Sequence, residues 1–112
     1  MNGQAETPAL IWCPFPDEES ALSAVNTLLD EDLAACGNLL PGMTSVFVWQ
    51  GEKDTAREFG LLVKTNAALL DAAVRRLAEL HPYETPAVLG WRCDAAPPET
   101  LAWLAGIGTP KI

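Results

Sequence analysis

Three side chains with an affinity for soft metals are spread along this chain: Cys13, Cys36 and His81. Two thiolates and an imidazole form a donor set suited to Cu(I) or Zn(II). No two of them lie at chelate spacing, so only the fold can bring them together. A free cysteine is also an ordinary small buried hydrophobe, and that structural reading stands beside ligation for each thiol. With Cys93 the cysteines number three, without a CxxC pair, which argues against a disulfide framework and against a zinc knuckle. The segment His81-Pro82-Tyr83-Glu84-Thr85-Pro86 sets an imidazole, a phenol and a carboxylate between two prolines, as a rigid loop lining a pocket would. In it His81 can act as base or ligand with Glu84 as its acid partner. Equally, a histidine can simply cap a helix C-terminus.

Other candidates are weaker. Trp12, Trp49, Trp91 and Trp103 can stack on a ligand, but aromatics scattered in this way are more often core and interface anchors. The acidic runs Glu18-Glu19 and Asp30-Glu31-Asp32 read as solvated helix ends. There is no glycine-rich phosphate loop, HExxH pair or Ser-His-Asp order, so the sequence points away from an enzyme.

The elements that must position these residues are set by periodicity. Ala9–Cys13, bounded by Pro8 and Pro14, reads as a buried strand. Asp17 caps a helix whose Leu22, Val25, Leu28, Leu29 and Leu33 share a face. Gly37-Asn38 is a stop signal for that helix, placing Cys36 at its end, and Pro41-Gly42 kinks the next segment. Thr44 to Trp49 is a second strand, with strand-forming residues on both faces. Gln50-Gly51 marks a turn, and the polar stretch Gly51–Asp54 leads to a third strand, Arg57–Thr65. Asn66 is placed to cap a second helix, with Leu69, Leu70, Ala73, Val74, Leu77 and Leu80 on its apolar face and Pro82 at its end. A fourth strand over Ala87–Trp91 and a last helix, Glu99–Ala105, complete the order β-α-β-β-α-β plus one helix. That order predicts an α+β, ferredoxin-like subunit: an antiparallel sheet with two helices on one face. The other face, apolar in the second strand, calls for a cover, and another subunit is a better candidate than the terminal helix.

The length suits a single domain over residues 8–112 behind a flexible tail over 1–7. A formal charge of -8 repels phosphate backbones and anionic membrane surfaces, which disfavours nucleic acid and membrane as partners. Asn2 to Pro8 lacks the basic start and apolar middle of a secretory signal, so the expected location is the cytoplasm.

The residues DLAACGNLLPGMTSVFVWQG (32–51), VKT (63–65), HPYETP (81–86) and LAWL (101–104) resemble the CutA divalent-cation tolerance proteins over nearly the whole chain. The resemblance implies a ferredoxin-like subunit in a homotrimer, a link to copper and other divalent cations, and no organic cofactor. It also places Cys13, Cys36 and His81 on the positions of the family's proposed copper ligands. Trimeric ferredoxin-like signalling proteins bind ligands between subunits, and by that analogy Trp49, Lys64, Tyr83 and Glu84 are candidates to line a cleft for a small molecule or a protein. Some positions depart from the family pattern: Gln50 and Glu52 at the hairpin turn, with Lys53 one place later than usual, and Arg92 and Thr100 near the C-terminus.

Overall fold

A computed structural model of the protein describes residues 4–109. Four strands and three α-helices alternate as β1 (Pro8–Phe15), α1 (Glu18–Asp30), β2 (Cys36–Trp49), β3 (Glu52–Asn66), α2 (Leu70–Leu80), β4 (Leu89–Arg92) and α3 (Pro98–Ala105). The sheet is antiparallel in the order β2-β3-β1-β4, so the ferredoxin-like expectation holds. Where a tail is expected, Gln4–Glu6 form a short 3-10 turn; residues 1–3 lie outside the described part.

One face of the sheet carries the core. Ile11, Cys13 and Phe15 of β1 and Leu61 and Val63 of β3 meet Ala21, Ala24, Val25 and Leu28 of α1 and Ala73 and Leu77 of α2. The alternate residues of the same strands point to the opposite face, which no α1 or α2 side chain covers. Helix α3 packs near the Pro8 and Asn66 end of the sheet, where Asn66 Nδ2 donates to the Leu104 carbonyl at 2.8 Å.

Local chemistry explains where the elements begin and end. Asp17 caps α1 as expected, its carboxylate accepting from the Ser20 N–H at 2.8 Å, and these bonds hold its pKa below the usual value. The helix stops earlier than Gly37-Asn38, because Asp32 takes a left-handed φ of 58°. The Asp32 and Leu33 N–H groups then turn back onto the Leu29 and Leu28 carbonyls, which is a Schellman ending. Leu22 lies outside the buried stripe, at 47 % exposure, because the stripe runs through Ala21, Ala24, Val25 and Leu28. Asn66 is the last residue of β3 and not the residue flanking α2, yet its side chain still accepts from the Leu69 N–H at 3.2 Å.

The freed segment lengthens β2, which starts at Cys36 and carries Pro41-Gly42 as a bulge: one extra residue between the pairs Leu40/Gly60 and Met43/Glu58. Gly42 has φ 71°, and proline inside a strand is tolerated at such a bulge. The β2–β3 turn is Gln50-Gly51, as expected, both at positive φ (52° and 82°), and pairing resumes at Glu52, within the polar stretch Gly51–Asp54 expected to belong to the connection. Because β1 ends at Phe15 opposite Phe59, the hairpin beyond Met43 and Glu58 projects past the sheet as a two-stranded arm. Among the described residues no helix is long and apolar enough to cross a membrane.

Candidate functional site

His81 follows α2 and has both ring nitrogens occupied. Nε2 lies 2.7 Å from the Pro14 carbonyl, which can only accept, so Nε2 carries the proton. Nδ1 is therefore bare and accepts from the Tyr83 N–H at 3.1 Å. The ring stacks on Phe15 at 4.1 Å between centroids, sits 4.8 Å from the Tyr83 ring, and is 7 % exposed. This neutral, doubly bonded imidazole ties the start of the 81–86 loop to the edge of β1.

Cys13 is completely buried in the core. Burial, and secondarily the charge of Glu58, push its thiol up to about 12, so it stays protonated at neutral pH. Cys36 lies elsewhere. It pairs with Lys64 across β2 and β3, whereas Cys13 pairs with Leu61 across β1 and β3. Leu61 and Lys64 are three positions apart on one strand, so the two thiols project from opposite faces of the sheet. The Cys36 sulfur is 3.9 Å from Lys64 Nζ, which donates to Asn38 Oδ1 at 2.6 Å. The soft-donor set is thus not gathered within one subunit. Among the described residues no group of three or more His, Cys, Asp or Glu is placed to hold a metal ion. The physical reason is the early helix stop: with Cys36 at the start of β2, strand alternation turns it away from the core that holds Cys13.

The other candidates converge better. Trp49, Tyr83 and Glu84 line one cleft of ≈ 750 Å³ between the hairpin arm and the 81–86 loop, together with Pro14, Phe47 and Glu58. Lys64 is absent from it, being engaged with Asn38. Within the cleft the Tyr83 hydroxyl donates to Glu58 Oε2 at 2.7 Å. Desolvation, then the bond to Glu58 and its charge, push the phenol up to about 12. Glu58 is 7 % exposed. Sequence reasoning passed over it as a strand residue. The available signal was its parity: it alternates with Gly60 and Leu62 and must share their face, whereas Arg57 and Phe59 point the other way.

A sequence profile of the family described as CutA1 divalent ion tolerance protein matches residues 9–106. The chain is 35% identical over 95 residues to a Pectobacterium atrosepticum relative named divalent-cation tolerance protein CutA, covering 85% of this chain and 86% of that one. Its fold is similar to the crystal structure of CutA from Xylella fastidiosa, with a TM-score of 0.83 at 41% identity, covering 87% of this chain and 93% of that chain. It is also similar to an Archaeoglobus fulgidus structure described as a periplasmic divalent cation tolerance protein CutA, with a TM-score of 0.82 at 30% identity, covering 87% and 94%.

Proposed function

Because this chain belongs to the CutA1 divalent ion tolerance family, we propose that it is a non-enzymatic divalent-cation tolerance protein acting as a homotrimer in the cytoplasm. The observation that carries the assembly is the uncovered face of the sheet. Leu40, Leu89 and Trp91 are 44, 64 and 45 % exposed, and cross-strand pairing sets Leu89 and Trp91 beside Trp12 and Leu10 on that face. The arm adds Val46, Phe47, Val48 and Trp49, all exposed. An isolated two-stranded hairpin is marginal in water, and so wide an apolar surface belongs against protein. Edge strands β2 and β4 are both unpaired on their outer sides, so a neighbour can add to the sheet as well as cover it. A contact between unlike surfaces that closes on itself makes a ring, and the family resemblance supports a ring of three copies.

Family membership supports the link to divalent cations, with copper the metal that the resemblance brings. Chelation by Cys13, Cys36 and His81 of a single subunit forms no part of the reading, because the two thiols lie on opposite faces of the sheet and both imidazole nitrogens are occupied. Expression in a bacterium lacking its own family member tests the proposal. Growth in graded copper and zinc salts is expected to rise with the wild-type chain and not with the assembly variant Leu40→Glu/Trp91→Glu; growth equal to an empty vector overturns it. A second reading, favoured by the cleft beside Glu58 and Tyr83, is a regulatory or scaffolding role in which that cleft takes a ligand.

A further inference from the structure

The hairpin arm sorts its charges by face. Side chains alternate along each strand and directly paired residues share a side, so the register of β2 with β3 divides the arm into two surfaces. One carries Thr44, Val46, Val48, Lys53, Thr55 and Arg57, all exposed, and is aliphatic with two cations. The other carries Phe47, Trp49, Glu52, Asp54 and Glu58, and is aromatic with three carboxylates. Its Phe47, Trp49 and Glu58 line the cleft against the 81–86 loop. Among the described residues the ion pairs all belong to Arg76, so none of these five charges is matched within its own subunit. For Glu58 the imbalance is costly, because it is 7 % exposed and accepts a hydrogen bond only from the neutral Tyr83 phenol. The sorting follows from the departure at the turn. With Lys53 one place later than in the family pattern, the lysine moves to the opposite face of the arm and Glu52 stands across from Trp49.

We propose that the two faces of the arm are the halves of one head-to-tail contact between copies of this chain. The aliphatic, basic face of each arm seats on the aromatic, acidic face of the next, with Lys53 and Arg57 of the partner subunit opposite Glu52, Asp54 and Glu58. Valines then cover Phe47 and Trp49, and a carboxylate left without a counter-ion in its own subunit gains one. The faces look in opposite directions, so one partner cannot meet both. Each arm therefore needs two different neighbours, as a closed ring supplies, whereas a two-fold pair of arms would set like face on like face and repel. This inference rests on the homotrimer reading and adds what holds the arms; it gives the cleft to a second copy and not to a small ligand.

The test follows dissociation of the full chain by light scattering over a dilution series. Lys53→Glu/Arg57→Glu makes both faces acidic, and Glu52→Lys/Asp54→Lys/Glu58→Gln makes both basic while keeping an acceptor for Tyr83. Each is expected to raise the concentration at half dissociation at least about tenfold. Combining all five substitutions exchanges the signs of the two faces and should return the midpoint to within about threefold of wild type. Glu52→Lys/Asp54→Lys, confined to exposed sites, should still raise the midpoint, so a folding defect at Glu58 cannot mimic the result. Wild-type midpoints in the reversed variants, or no recovery in a combined variant with native circular dichroism, overturn the inference and leave the trimer standing. A wild-type mass of one chain overturns the trimer reading and the inference together.

Discussion

Replacing His81 with alanine removes two hydrogen bonds and a stacked ring at one stroke, leaving the Tyr83 N–H without its acceptor. We expect His81→Ala to lower the unfolding free energy by roughly 2–4 kcal/mol in urea titrations; a change under about 0.5 kcal/mol would contradict the structural role given to the imidazole. Cys13 and Tyr83 set the response to alkali. Both ionise at higher pH in the folded protein than in the unfolded chain, where the thiol and phenol have their ordinary values of 9.0 and 10.0. Folding therefore opposes proton loss, and the stability involved is complete below about pH 9 and is lost as the pH rises toward about 12. Urea midpoints should fall across that window, less steeply in Cys13→Ala, and a flat profile would contradict the buried, protonated thiol. Alkylation mapped by mass spectrometry should likewise leave Cys13 unlabelled until the chain is unfolded.

At the level of elements, the hairpin turn isolates a conformational effect. A Cβ at Gly51 would meet nothing within 4 Å, yet its φ of 82° is one that L residues avoid. Gly51→Ala should therefore cost about 1 kcal/mol through the backbone alone, visible as a lower midpoint in thermal unfolding; no loss would mean that the turn relaxes freely. Element order, the Asp17 cap, the Pro41-Gly42 irregularity and the apolar face of α2 were all legible in the sequence, because each rests on local periodicity or on a residue with a strong backbone preference. The end of α1 was not, because a left-handed aspartate competes with glycine only when the following N–H groups find carbonyls to bond, as Asp32 and Leu33 do here. That displacement propagates to the site: it moves Cys36 from a helix end to a strand and across the sheet from Cys13. The Glu58–Tyr83 contact joins residues 25 apart in sequence, so only the crossing of the 81–86 loop over the end of β1 reveals it.

For the molecule as a whole, the surfaces left exposed are those that the proposed assembly would cover. The subunit's core occupies one face of the sheet, while the other face and the projecting arm leave tryptophans, leucines and valines in water, and the extents of 49 × 27 × 22 Å record how far the arm reaches. Everything proposed for the assembly depends on copies of this chain covering those surfaces. Light scattering on the protein as it elutes from a sizing column reads that dependence without intermediaries: the expected mass is three times the 12.0 kDa of the chain, reduced to one chain in the still-folded variant Leu40→Glu/Trp91→Glu. A wild-type mass of 12.0 kDa at micromolar concentration would contradict it.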